Sequence, residues 1–169
     1  MRNKPHQKNR QPRTTFGQSA LDSAFRLLTR RDHTRWELAG KLRHKGFGAG
    51  DVDRAIARLD ELGYLDDAKT ARIMADHLLR KGYGILRIRY SLGQKGLDDD
   101  AIDKALRCCG DDMAQVQHAR CVLEKKRFRL QREADPVKRY QRAYRFLAGR
   151  GFPAGIIRQT IGECDDDFM

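Results

Sequence analysis

The chain has 169 residues, 34% of them charged, and 35 Lys and Arg outnumber 23 Asp and Glu to give a net charge of +12. That length allows one ordinary domain or a row of very small ones. No run of 18 apolar residues occurs and Met1 leads directly into Arg2-Asn3-Lys4-Pro5-His6, so neither a membrane span nor a secretory signal is expected, and a cytoplasmic protein is.

Residues 1–19 carry five basic and no acidic side chains and no apolar period, which reads as a disordered basic arm. From Ala20 the pattern is helical. Leu21, Ala24, Phe25 and Leu28 mark one face of a first helix. Thr34-Arg35-Trp36-Glu37 has capping-box form and opens a helix with Leu38 and Leu42 inward, closed by Gly46. Asp51 sits near the start of a third helix carrying Val52, Ile56 and Leu59 and ending at Gly63. Asp66 or Asp67 caps the next, with Ala71, Met74, Ala75 and Leu78 inward and Gly82 behind it. A helix from about Ile85 buries Ile88 and Leu92 before Gly96, and Asp98 or Asp99 starts one with Ile102, Ala105 and Leu106 inward. Asp111 or Asp112 opens a stripe of Val116, Ala119 and Leu123. Asp135-Pro136 then starts a helix facing inward through Tyr140, Ala143, Tyr144 and Leu147. Pro153 suits the first turn of a last helix carrying Ile156, Ile157 and Ile161, and residues 163–169 form an acidic tail expected to fray.

One pattern occurs three times: Leu, two residues, Lys or Arg, Gly, then Phe or Leu, with Val or Ile five residues later and Ile or Leu nine later. The copies are Leu42, Lys45, Gly46, Phe47, Val52, Ile56; then Leu92, Lys95, Gly96, Leu97, Ile102, Leu106; then Leu147, Arg150, Gly151, Phe152, Ile157, Ile161. A period of this size marks stacked supersecondary units. The expected fold is all-α: nine helices in three tandem three-helix repeats, at residues 20–67, 68–112 and 113–162, between the arm and the tail.

No reaction centre is visible. Gly46-Phe47-Gly48-Ala49-Gly50 follows a helix and lacks the Gly-Lys-Ser/Thr ending of a phosphate loop. The aspartate clusters at Asp66-Asp67 and Asp98-Asp99-Asp100 fall where helices begin and there satisfy backbone donors. His6, His33, His44, His77 and His118 show no zinc spacing, and Cys108, Cys109, Cys121 and Cys164 make no Cys-x-x-Cys pair. The cysteines read as small hydrophobes in a reducing cytoplasm, the neighbours Cys108 and Cys109 being poorly placed for an ordinary disulfide. No catalytic residue, metal or cofactor is assigned.

The cations are distributed unevenly. Residues 20–67 carry nine of each sign, whereas residues 113–162 carry twelve basic and three acidic side chains. In the third unit Lys138, Arg142 and Arg145 recur opposite the apolar face, extended by Arg139 and Arg150, and Lys125, Lys126, Arg127, Arg129 and Arg132 crowd a helix end. In the second, Arg80, Lys81, Arg87, Arg89 and Lys95 gather around the turn Gly82-Tyr83-Gly84. A face meant only for solubility mixes signs, so these residues, Arg129 and Arg132 aside, form the candidate surface for a polyanion or an acidic protein.

Leu62-Gly63-Tyr64-Leu65-Asp66-Asp67, Lys81-Gly82-Tyr83-Gly84, Arg87-Ile88-Arg89, Lys95-Gly96-Leu97 and Phe146-Leu147-Ala148-Gly149-Arg150-Gly151-Phe152, in that order, resemble RecX, the bacterial regulator of the RecA recombinase. The likeness covers about residues 20–162. Ile85 stands where the family often has Pro, and Thr70 where an aromatic is common. The resemblance implies a curved, elongated array of three three-helix repeats without enzymatic activity. It implies binding to RecA in the groove of its filament on single-stranded DNA, restraining filament growth, ATP hydrolysis, strand exchange and co-protease activity. A monomer without a membrane partner is expected, and the residues leave open whether the basic faces meet RecA or single- or double-stranded DNA. The alternative is a stand-alone helix-turn-helix-type DNA-binding regulator. Against it, the third helices start with Asp51 and Asp53, with Asp98 to Asp100, or with Pro153-Ala154-Gly155, where base reading needs Arg, Lys, Asn or Gln.

Overall fold

The computed structural model describes residues 19–162. These residues form ten α-helices, one 3-10 turn and no strand. The described residues divide into two compact units, with the boundary between Leu65 and Asp66. The arm and the acidic tail expected at the ends lie outside the described residues, apart from Ser19.

The first unit is one repeat: α1 (Ala20–Leu28), α2 (Arg35–His44) and α3 (Ala49–Glu61). Ser19 caps α1 reciprocally with Asp22, and Thr34 caps α2, its hydroxyl accepting from the Glu37 amide at 3.1 Å. Ala24, Leu38, Leu42, Val52 and Leu59 are fully buried. The α1–α2 turn is fixed by a polar cluster under this core. The Glu37 carboxylate accepts from both Arg31 nitrogens at 2.6 and 3.0 Å and faces His33 Nδ1 at 3.0 Å.

The second unit holds two repeats. One comprises α4 (Asp67–Arg80), α5 (Ile85–Gly93), α6 (Asp99–Leu106) and the 3-10 turn Arg107–Cys109; the other comprises α7 (Asp112–Glu124), α8 (Arg127–Gln131), α9 (Pro136–Gly149) and α10 (Ala154–Gly162). Asp66, Asp98 and Asp111 are the capping members of their acidic pairs, accepting from the amides of Lys69, Ala101 and Ala114 at 2.8, 2.7 and 2.9 Å. Asp135 accepts from Val137 and Lys138 ahead of Pro136. Each repeat encloses its own apolar cluster, centred on Ala71, Ile88, Leu92 and Ile102 in one and on Ala119, Leu147, Phe152 and Ile157 in the other.

The threefold motif is a helix C-cap. After α2, the Phe47 amide donates to the Leu42 carbonyl at 3.3 Å and the Gly46 amide to Arg43 at 2.9 Å; after α9, Phe152 donates to Leu147 at 3.2 Å and Gly151 to Ala148 at 2.9 Å. This pattern needs a left-handed residue between Leu and Phe and brings those two apolar side chains together. Gly46 and Gly151 supply it at φ of 93° and 82°.

Two expectations are corrected. Ten α-helices replace nine among the described residues, because α8 intervenes between α7 and α9. No Ser, Thr, Asn, Asp, Gly or Pro occurs from residue 113 to residue 134, so nothing in the sequence marks the break. It falls at Lys126, which leaves helical geometry at φ −113°, ψ 0° within a crowd of like charges, and buried Leu130 anchors the next turn. Tyr140, expected inward, is exposed. Only Ala143 and Leu147 of α9 are buried, and Tyr140 stacks on Tyr144 outside them at 6.3 Å.

The two repeats of the second unit are joined backbone to backbone. The Gly84 amide donates to the Arg150 carbonyl at 2.9 Å and the Leu86 amide to the Gly151 carbonyl at 3.0 Å. Arg150 Nη1 returns the contact by donating to the carbonyls of Lys81 and Gly82 at 3.1 and 3.2 Å. A Cβ on Gly84 would lie 2.4 Å from the Gly151 carbonyl oxygen. Gly84→Ala is therefore expected to lower the melting temperature by about 5–15 °C, a clash with no flexible side chain to yield. Gly149→Ala, where an added Cβ meets nothing within 4 Å, is expected to be neutral or to stabilise by up to about 1 kcal/mol. Thermal melts followed by circular dichroism separate the two.

Candidate polyanion-binding surface

Within residues 113–162 each of the three acids is already paired with a cation. Glu124 meets Arg127 at 3.3 Å, Glu133 meets Arg142 at 2.8 Å and Asp135 meets Lys138 at 3.6 Å. Twelve cations against three acids therefore leave an excess that the repeat itself does not neutralise. Lys125, Arg129, Arg132 and Arg145 are exposed, and Lys125 and Arg132 follow the last residues of α7 and α8, where helix dipoles favour positive charge. Arg145 Nε donates to the Gln141 carbonyl at 3.2 Å, and Arg139 Nε to that of Glu133 at 3.1 Å. The bond of Arg145 is to a neutral oxygen and does not cancel its charge.

The repeat before it is more balanced. Arg80 pairs with Asp76 at 2.8 Å, Arg89 pairs with Asp103, and Lys95 is half-buried. Lys81 and Arg87 are exposed beside the joint, the Arg87 guanidinium lying 5.7 Å from the centre of the Tyr90 ring. Exposed pairs of this kind hold little free energy, so a polyanion can displace their acids.

Arg150 belongs to the joint itself. Its guanidinium lies over the rings of Phe146 and Tyr83 at 5.0 and 5.8 Å, and Lys126 approaches the same Phe146 ring at 5.9 Å. A ladder of Lys126, Phe146, Arg150 and Tyr83 thus ties the crowded α7–α8 cations to the neighbouring repeat.

Sequence reasoning missed the aromatic component of this surface. Phe128, on α8, is 85% exposed with Arg127 and Arg129 on either side, and Tyr90 is 59% exposed between Arg87 and Arg89 and the end of α5. A large ring enclosed by cations in the sequence was the available signal: such interleaving suits stacking on bases while cations meet phosphate. In the first unit Trp36 is likewise 61% exposed, beside Arg35, which pairs with Asp60.

The chain matches three family models in order: RecX, first three-helix domain, over residues 20–59; second, over 66–106; and third, over 114–161. The chain belongs to the RecX family. It is 42% identical over 144 residues to the regulatory protein RecX of Chlorobaculum tepidum, covering 85% of this chain and 86% of that one. It is 36% identical over 151 residues to that of Legionella pneumophila, covering 89% and 97%. The crystal structure of RecX from Lactobacillus salivarius agrees in fold, with a TM-score of 0.76 at 24% identity over 86% of this chain and 94% of that one. The chain is thus a member of a family of regulatory proteins built from three tandem three-helix domains.

Placed on the RecX fold, the family-like stretches Lys81–Gly84 and Phe146–Phe152 are the two sides of one joint. No helix among the described residues is long and apolar enough to cross a membrane, and no group of three or more His, Cys, Asp or Glu is placed to hold a metal ion.

Two histidines sense the folding of these units. His33, facing Glu37, and His118, packed 5.5 Å from Phe152, both have their pKa lowered, in each case chiefly by burial. A lowered folded-state value means that the unfolded chain binds protons first as pH falls below about 6.5. Stability from this source is complete above that pH and is lost on acidification. The melting temperature is expected to fall between pH 7.5 and pH 5.5, and less steeply in His118→Gln; an equal slope in the variant would remove His118 from the effect.

Proposed function

We propose that this chain is a non-enzymatic regulator of RecA recombinase that binds in the groove of the RecA filament on single-stranded DNA. By doing so it limits filament growth, ATP hydrolysis, strand exchange and co-protease activity. The observation that carries the reading is the last repeat's excess of cations, which no acid of that repeat balances, on a body locked to the preceding repeat. Arg80, Lys81, Arg87, Arg89, Lys95, Lys125, Lys126, Arg127, Lys138, Arg139, Arg142 and Arg145 make up the proposed contact surface, with Phe128 and Tyr90 among them. Arg150 serves the surface by holding the joint.

The physical logic is that of a rigid charged insert. A filament groove lined by acidic protein surface or by phosphate attracts such a body from a distance, and fixed helices orient it on arrival. Phosphate contact releases counterions, so direct DNA binding weakens with salt at a log–log slope of about −0.7 per phosphate neutralised on a single strand. A stand-alone regulator reading duplex sequence is less well supported, since Asp98, Asp99 and Asp100 occupy the start of α6, where a recognition helix would present donors.

Charge reversal of the exposed Lys125, Lys138 and Arg145 to Glu is expected to weaken inhibition of RecA ATPase on single-stranded DNA by tenfold or more, about 0.5 kcal/mol for each exposed charge removed, while the helical circular dichroism is unchanged. Undiminished inhibition by a folded triple variant would remove this face from the interaction.

A further inference from the structure

The proposed surface does not use Cys108 and Cys109. They end the 3-10 turn that follows α6, with Gly110 behind them at φ 79°. Cys109 is 6% exposed and belongs to the apolar cluster of its repeat, whereas Cys108 is exposed. The Cys108 thiol donates to the Ala105 carbonyl at 2.7 Å, and the Cys109 thiol is on the adjacent residue. Two soft donors are therefore side by side, one reachable from water and the other backed by a packed core.

What such a pair binds follows from its geometry. Adjacent Cα atoms are about 3.8 Å apart, less than the roughly 4.4–6.8 Å of ordinary disulfides, so direct S–S bonding is strained. A third atom between the sulfurs lets them stay well beyond bonding distance. Zinc wants about four ligands, and no third ligating side chain joins these two among the described residues. A thiophilic centre satisfied by two sulfurs and one carbon fits: a monosubstituted trivalent arsenical.

We propose that Cys108 and Cys109 form a bidentate binding site for trivalent organoarsenicals of the type R–As=O at the end of the second repeat. Two As–S bonds form and the As=O bond breaks. Both thiol protons leave with the oxygen as water, arsenic stays trivalent, and nothing is oxidised or reduced. Cys108 attacks first because it is exposed and the thiolate is the nucleophile. Burial, reinforced by Cys108 and Asp76, pushes the Cys109 thiol up to about 11, so it closes the ring second, as an intramolecular step. The site stands independently of the RecA reading.

The test is intact mass of the full chain treated with phenylarsine oxide in excess glutathione, a monothiol that strips singly bound arsenic. One phenylarsenic group less two hydrogens is expected per chain, removed by ethanedithiol. In Cys108→Ser and in Cys109→Ser the apparent affinity should fall by about two orders of magnitude, the loss of the intramolecular second bond. Cys121→Ser and Cys164→Ser should keep the adduct. Cys108 is on the surface, so its variant tests the site even if Cys109→Ser fails to fold. A wild-type chain without a glutathione-resistant adduct, or an adduct that survives Cys108→Ser, overturns the proposal.

Discussion

At Gly84 and Gly151 two segments of main chain run closer together than any side chain permits, and two amide–carbonyl bonds cross between them. This contact is made main chain to main chain. Its stability comes from satisfying backbone groups that would otherwise be buried without partners, which is costly to leave undone. Around it Arg150 supplies charge-assisted bonds to two carbonyls and covers two rings. The last two repeats therefore behave as one body, although each has an apolar core of its own.

The joint also explains how one motif serves two purposes. In the first and third copies the Leu, Gly and Phe close a helix, and in the second Gly96, at φ 70°, donates to the Gly93 carbonyl at 3.0 Å. In the third copy the same Gly151 additionally admits the backbone of Arg87, from which an added Cβ would stand 2.4 Å. The cations follow from that arrangement: α7, α8 and α9 bury Val116, Ala119, Leu123, Leu130, Ala143 and Leu147, and their charged residues share the outside with Phe128 and Tyr140. The three acids of residues 113–162 are all in ion pairs.

Much of this was legible in the sequence. Three- and four-residue apolar spacing located the helices, the Leu-x-x-Lys/Arg-Gly motif gave the repeats, and paired aspartates marked the starts of α4, α6 and α7. What failed did so where local signals were missing. The α7–α8 break carries no capping residue, and Tyr140 fits the apolar period of α9 while lying beyond the core that α9 covers. The joint was invisible for a different reason: it is a contact between main chains 66 residues apart, from Gly84 to Arg150, and only the shared glycines hint at it. Arg150 looked like any other cation on a basic face because a sequence does not show which carbonyls a guanidinium reaches. Phe128 is a large apolar ring on the outside, which the rule of apolar residues inside does not anticipate.

Native-state hydrogen exchange at the amides of Gly84 and Leu86 tests most directly whether the last two repeats are one body. Both amides are expected to exchange as slowly as those of buried Leu92 and Ile157, through global unfolding of the unit. Exchange of Gly84 and Leu86 at rates typical of exposed turns, with the two cores still protected, would show the repeats separating in the native state and would contradict the joint.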